Sequence, residues 1–302
     1  MRVFVTGASG HIGSVVVREL LEAGHQVTGL ARSDASAGAV AAAGAKVHRG
    51  TLDDPDGLAE AAAAADGVIH LAFNHDFSNY AAAIATDLRA VEVIGEALAG
   101  SGKPFVNTSG TLMLAFGAPG RLGMEDTVVD QSGPRAASEL ATLALAERGV
   151  RSSVIRLAPT VHGSTDHHGF VPCLIEFARA AARAGYLGDG SNRWPAVHTV
   201  DAARLYRLAL ESAPAGSMLH GAAEEGVAFR DIAQAIGDQL GVPVQQIPDS
   251  EAAQQFGFLA GFAALDNPTS SAQTRALLGW EPGQPTLLED LKADHYFAQL
   301  AS

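Results

Sequence analysis

The stretch Thr6-Gly7-Ala8-Ser9-Gly10-His11-Ile12-Gly13 decides the reading of this chain. It follows a short β-branched run, Arg2–Thr6, and opens an amphipathic run, Ile12–Ala23, that stops at Gly24. Three glycines between a strand and a helix have separate tasks. Gly7 permits a tight turn, Gly10 lets a ligand approach the backbone, and Gly13 lets the helix pack closely on the strand. Free amides and the positive end of the helix dipole then face the ligand, which suits the pyrophosphate of a dinucleotide. Gly7, Ser9, Gly10, His11, Ile12 and Gly13 are therefore expected to hold a cofactor.

The same alternation continues outward from that turn. Strands are expected at Gln26–Ala31, Lys46–Arg49, Gly67–Phe73, Lys103–Ser109 and Ser152–Leu157. Helices are expected at Ala35–Ala43, Pro55–Ala65, Tyr80–Gly100 and Pro134–Arg148. Such alternation implies parallel strands with crossover helices on both faces, an α/β doubly wound Rossmann sheet. After Pro159 the chain becomes richer in His, Gly and Pro. Gly185–Asn192 reads as a loop, with later helices at Val200–Ser212, Phe229–Leu240 and Thr269–Leu278. The expected division is a dinucleotide-binding domain over residues 1–165, with a return segment near 196–212. A smaller C-terminal α/β substrate lobe takes residues 166–195 and 213–302.

The end of the second expected strand reads Gly29-Leu30-Ala31-Arg32-Ser33. A carboxylate there would bind the adenosine ribose hydroxyls, whereas an arginine accommodates a 2′-phosphate. Ala31 occupies the acidic position, and Arg32 and Ser33 offer a guanidinium and a hydroxyl. NADP(H) is favoured over NAD(H), with Asp34 as the competing charge.

Composition narrows the partners. Twenty basic against 33 acidic residues give a formal charge of −13, and no Lys/Arg cluster exists to follow a phosphate backbone, so nucleic acid is not expected as a partner. The single cysteine, Cys173, precludes an intramolecular disulfide. No long apolar leader opens the chain, and no apolar run reaches membrane-helix length despite a mean hydropathy of +0.13. A cytoplasmic protein without membrane partners is expected. His162, His167, His168 and Cys173 match no closed zinc spacing, so no metal is expected.

With these residues in hand, the chain resembles the extended short-chain dehydrogenase/reductase superfamily, the NAD-dependent epimerase/dehydratase-like proteins. Gly50-Thr51-Leu52-Asp53 looks like that family's adenine-side Gly-Asp-Leu segment, and Val68-Ile69-His70-Leu71-Ala72 like its fourth strand. Arg156–Gly163 resembles its Arg-x-x-x-x-Val-Tyr-Gly element with His162 at the tyrosine. Gly188-Asp189-Gly190 and Val197-His198-Thr199-Val200-Asp201 also match family segments. The resemblance implies cofactor contacts from Leu52, Asp53, Leu71, Ala72, Phe73 and Pro159. It also implies a homodimer built on the Tyr80–Gly100 and Pro134–Arg148 helices.

The catalytic segment departs from the family. The family's Tyr-x-x-x-Lys pair falls on Arg135 and Glu139, and its hydroxyl on Gly110, between Ser109 and Thr111. A guanidinium cannot serve as the acid at neutral pH. Arg135 can stabilise an alkoxide, or pair with Glu139 at i,i+4; Glu139 can accept from ribose hydroxyls. Ser109 and Thr111 can only relay a proton. Histidine titrates near neutrality, so His162, replacing a tyrosine at the cleft mouth, and then His75, beside Asp76, are the expected proton donors. Asn74, Asn192, Arg193, Trp194 and His198 are expected to line the substrate cleft, with Trp194 alternatively a core anchor.

The expected activity is NADP(H)-dependent oxidation or reduction at a carbonyl or alcohol of a small organic molecule, a sugar derivative or secondary metabolite. Two rivals stand beside it. One is an epimerase or dehydratase with retained cofactor; the other is a catalytically silent NADP(H) sensor, which the missing tyrosine and lysine favour.

Overall fold

In the computed structural model, which describes residues 1–74, 79–130 and 133–297, the first half alternates strictly. The order is β1 (Arg2–Thr6), α1 (His11–Glu22), β2 (Gln26–Ala31), α2 (Asp34–Ala42), β3 (Lys46–Arg49), α3 (Pro55–Ala64), β4 (Gly67–His70), α4 (Tyr80–Leu98) and β5 (Pro104–Gly110). Then come α5 (Leu112–Gly117), α6 (Ala136–Ala144), β6 (Arg151–Leu157) and β7 (Thr160–His162). Local chemistry sets the boundaries. Pro55 occupies the first turn of α3, where its missing N–H costs nothing, and Asp54 caps that helix by accepting from the Gly57 amide at 3.1 Å.

The second half continues with α7 (Phe170–Ala181), β8 (Ala184–Leu187), β9 (Arg193–His198), α8 (Thr199–Ser212), β10 (Ser217–Gly221), β11 (Glu224–Ala228), α9 (Phe229–Leu240) and β12 (Val244–Ile247). Short helices follow: α10 (Ala252–Phe256), α11 (Ala260–Ala263), α12 (Ala272–Leu278) and α13 (Leu287–Asp290).

Seven strands form one parallel sheet in the order β10-β6-β5-β4-β1-β2-β3. Its direction of growth reverses between β1 and β4, which opens a crevice at their carboxyl ends. Apolar residues of α1 and α8 cover one face, including Val16, Leu20, Leu205 and Leu210, while Leu58, Val91, Ile94 and Leu98 of α3 and α4 cover the other. A separate core holds Trp194, Phe229, Ile232 and Phe256, between the sheets β11-β9-β7 and β12-β8 and helices α7 and α9.

Three placements differ from the sequence reading. Ser217–Gly221 is no part of the lobe: β10 pairs with β6 and forms the edge of the main sheet. Leu278 and Trp280 likewise return to the main core. The start of the expected 185–192 loop is strand β8, paired with β12.

Candidate active site

The glycine turn lies at the reversal point. Gly7 has φ +70°, and a Cβ there would sit 2.8 Å from the Ala72 nitrogen at the end of β4. A Cβ on Gly13 would overlap the Gly7 carbonyl oxygen, so α1 can start this close to β1 only with glycine at both places. Gly10 is the N-cap of α1, its own amide held by the Gly7 carbonyl at 3.0 Å, and no side chain caps the helix. The amides of the first turn have no intrahelical acceptor, and Gly7 abuts Leu71 and Ala72, which form the crevice floor. Thr6 Oγ1 fixes that floor by accepting from the Leu71 and Ala72 amides at 3.2 Å each. This backbone cradle fits a dinucleotide pyrophosphate, which needs amide donors and absence of side chains.

At the end of β2, Ser33 caps α2 in a reciprocal box with Ser36. Arg32 is exposed. The register sets Ala31 opposite Arg49 of β3, and Arg49 donates to the Ser33 carbonyl and to Asp34 Oδ1, both at 2.6 Å. Sequence reasoning missed Arg49. Its signal was the terminal position on β3, which neighbours β2 in a doubly wound sheet. Asp34, the competing charge, is paired with it. Asp53 is tied to Arg89 and Thr86 on α4 at 3.4 and 3.3 Å, and Leu52 packs against the α3–α4 core.

At the two positions where the resemblance implies a tyrosine and a lysine, two different ion pairs stand. Arg135 does not meet Glu139. Its Nη2 donates to Asp87 Oδ1 and Oδ2 at 3.0 and 3.2 Å and to the Thr108 carbonyl at 2.8 Å. Its guanidinium carbon lies 4.4 Å from the Phe73 ring centroid, a cation–π contact. Asp87, on α4, also accepts from Ser138 Oγ at 2.6 Å and has His70 Nε2 at 3.4 Å. Burial pushes its carboxyl up, but His70, Arg135 and Ser138 prevail and hold it below the ordinary value.

Glu139 is buried and takes Arg156 of β6 in a forked pair, Nε to Oε1 at 3.0 Å and Nη2 to Oε2 at 2.7 Å. The separation of Arg135 from Glu139 has a steric cause: Arg135 is the N-cap of α6 and turns toward α4, while Glu139 faces β6. Ser109 is buried, and Thr111 accepts from Asn267 Nδ2 at 3.0 Å.

The expected proton donors fare differently. His162 does not stand at a cleft mouth. It is fully buried, with Nδ1 on Asp290 of α13 at 2.8 Å and its ring edge-on to His198 at 5.3 Å. His75 and Asp76 lie outside the described residues. Around His162 a polar cluster links the two cores: Tyr296 Oη accepts from the Gly163 amide and donates to Asp166, whose Oδ1 lies 3.5 Å from His11 Nδ1. Burial lowers His11 to about 4 and raises Asp166 to about 7. His11 is therefore neutral beside the glycine turn at physiological pH.

Of the expected cleft residues, Trp194 is a core anchor, fully buried and edge-on to Phe229 at 4.9 Å. Arg193 is paired with Asp266, and Asn192 donates to the Ala263 carbonyl at 2.9 Å. His198 caps α8, Nδ1 accepting from the Val200 amide at 3.2 Å. Pro159 is half-buried after β6, and Asn74 is exposed after β4. The crevice thus gathers the glycine turn, Leu71, Ala72 and, through Phe73, Arg135, while Trp194 and Asn192 are engaged in the second core and His198 lies against His162.

The model of the NAD-dependent epimerase/dehydratase family matches residues 3–219. An uncharacterized protein of Schizosaccharomyces pombe is 50% identical over 298 residues, covering 98% of this chain and 100% of the relative. The 2'-dehydrokanamycin reductase of Streptomyces kanamyceticus is 28% identical, covering 84% of this chain and 72% of its own. Among solved structures, the dTDP-glucose 4,6-dehydratase DesIV of Streptomyces venezuelae, bound to NAD, superposes with a TM-score of 0.79 at 20% identity, covering 99% of this chain and 98% of its own.

Proposed function

Since the chain belongs to the NAD-dependent epimerase/dehydratase family, we propose that it is an NADP(H)-dependent oxidoreductase of the carbonyl or alcohol group of a small organic substrate, a sugar derivative or secondary metabolite. The observation that carries the cofactor half is the paired end of β2 and β3. Arg32 is exposed beside the site, Arg49 stands opposite Ala31, and Asp34 is neutralised, leaving net positive charge where a 2′-phosphate sits. Gly7, Ser9, Gly10, His11, Ile12 and Gly13 hold the pyrophosphate, and Leu71, Ala72 and Phe73 floor the cavity. The sheet residues 1–165 with the 196–212 return carry the cofactor, and the second core carries the substrate. The reductase activity in the name of the Streptomyces kanamyceticus relative supports the carbonyl reading.

The protein acts in the cytoplasm as a homodimer through α4 and α6, where Leu140 is exposed and a groove mixes Ala141 and Ala144 with Glu92, Glu96 and Arg148. A second reading, the silent NADP(H) sensor, is favoured by one observation: Arg135 and Glu139 are both committed to other ion pairs. The epimerase and dehydratase reading draws support from the family model that matches residues 3–219 and requires cofactor that survives purification. The deciding experiment is NADPH and NADH consumption against a panel of ketones, keto-sugars and dicarbonyls, with fluorescence titration of both cofactors. Oxidation of NADPH with tighter binding than NADH supports the proposal; tight binding without turnover selects the sensor.

A further inference from the structure

Four phenylalanines from three separate segments form a continuous row. Phe170 of α7 and Phe262 of α11 have ring centroids 6.0 Å apart. Phe262 lies 6.2 Å from Phe116 of α5, and Phe170 lies 6.3 Å from Phe258, which precedes α11. These are the separations and tilts of favourable aromatic pairs. The row therefore joins a helix of the main domain, α5, to two elements of the second lobe.

Both ends of the row are tied to the carboxyl edge of the main sheet, where ligands of open α/β sheets bind. At one end, Asp166 lies 3.5 Å from His11 of the glycine turn, and Thr165 Oγ1 donates to the His11 carbonyl at 3.3 Å. A tight turn, closed by the Gly169 amide on Asp166 Oδ1 at 2.8 Å, then delivers Phe170 at the start of α7. At the other end, β5 stops at Gly110, and Thr111, the N-cap of α5, accepts from Asn267 Nδ2 at 3.0 Å. Phe116 follows in that helix. The row thus spans the seam between sheet and lobe, from the glycine-turn side to the end of β5.

These rings are not core. Phe116 is 48% and Phe258 44% exposed, and Phe170 and Phe262 are half-buried. Behind them Phe170 rests against the fully buried Trp194 at 5.8 Å, which gives the row a rigid base. Charge at its rim is cancelled. Arg193 donates Nε and Nη2 to Asp266 at 3.0 and 2.8 Å, with Nη2 also 3.5 Å from the Gly120 carbonyl in the loop after α5. That guanidinium is already neutralised and does not select for an anionic substrate group. Contiguous water-facing rings at a domain seam mark a ligand groove. We propose that this row is the substrate-binding wall, and that the substrate is a carbonyl compound with a flat aromatic body and no phosphate. The proposal rests on the oxidoreductase reading and narrows it: the aromatic body packs on Phe116 and Phe262, with its carbonyl toward the crevice.

The test has two arms. Protein labelled with para-fluorophenylalanine and saturated with NADP⁺ is titrated with naphthyl methyl ketone and, separately, with UDP-glucose. The fluorine resonances are assigned with Phe116→Tyr and Phe262→Tyr. The ketone should shift both signals and UDP-glucose neither. Phe116→Ala should weaken ketone binding about tenfold, the worth of one stacked ring with its buried area, whereas Phe116→Tyr should bind as the parent does. Rings indifferent to the ketone, or moved by UDP-glucose, overturn the proposal whatever the activity. In the second arm, NADPH oxidation gives kcat/KM for naphthyl methyl ketone and for acetoin, a small carbonyl without a ring. The ratio of the two should favour the naphthyl ketone, fall about tenfold in Phe116→Ala and hold in Phe116→Tyr. A ratio unchanged by Phe116→Ala refutes the wall and leaves the oxidoreductase reading standing. Ring shifts without turnover of any carbonyl refute the oxidoreductase reading and leave an aromatic-ligand site.

Discussion

Glu139→Leu should destabilise the fold and leave cofactor affinity nearly unchanged. Glu139 and Arg156 have side chains only 1% and 3% exposed, joined by hydrogen bonds of 2.7, 3.0 and 3.2 Å. Without the carboxylate, the guanidinium keeps, among the described residues, only the Thr127 carbonyl at 3.2 Å and stays buried as an uncompensated charge. Removing one partner of such a pair costs about 3–5 kcal/mol. A chain of 302 residues has an unfolding entropy of about 0.6 kcal/mol/K, so each kcal/mol lowers Tm by about 1.6 °C. The expected drop is about 5–8 °C. The double variant Glu139→Leu/Arg156→Met should recover most of it, because an apolar pair of similar volume carries no desolvation penalty. The assay is thermal unfolding followed by circular dichroism, with NADPH titration of each variant. A Tm within about 2 °C of the parent, combined with tenfold weaker NADPH binding, would refute the reasoning and put Glu139 on the nicotinamide ribose.

Other consequences follow from the same geometry. Arg32→Ala should weaken NADPH selectively, and Arg49→Ala should weaken it further by also freeing the Asp34 carboxylate; calorimetric titration that finds NADH weakened equally removes the 2′-phosphate assignment. Asp166 binds its proton up to about pH 7 in the native state, raised chiefly by burial, but only to about pH 4 when unfolded. Its stabilising contribution is therefore complete below pH 4 and lost as pH rises through 7. Asp166→Asn should gain on the parent by up to about 4 kcal/mol between pH 4 and 8, read as a Tm difference that widens with pH; a constant difference contradicts the assignment. Leu140→Glu, on the exposed face of α6, should convert a dimer to a monomer by light scattering, and an unchanged mass would move the interface elsewhere.

The sequence alone determined what depends on local conformation. The glycines at 7, 10 and 13, the alternation of β-branched and alanine-rich runs, and Ala31 followed by Arg32 at the end of β2 are all readable because each acts within a few residues. Helix α7 is not among the expected helices, and its Pro172 lies in the first turn. In the first turn of a helix, proline lacks only an amide that would be unpaired anyway. Strand β10 escaped because five residues with no clear alternation become a strand only through pairing with β6. Partner choice belonged entirely to tertiary structure. Arg135 and Glu139, four residues apart and opposite in charge, could have paired, yet each found a better-enclosed partner, on α4 and on β6, in which little solvent competes. His162 met an acid 128 residues away and was lost to the core. A side chain's charge and hydrogen-bonding capacity are written in its type, but which groups share its low-dielectric surroundings is fixed only when distant segments pack together.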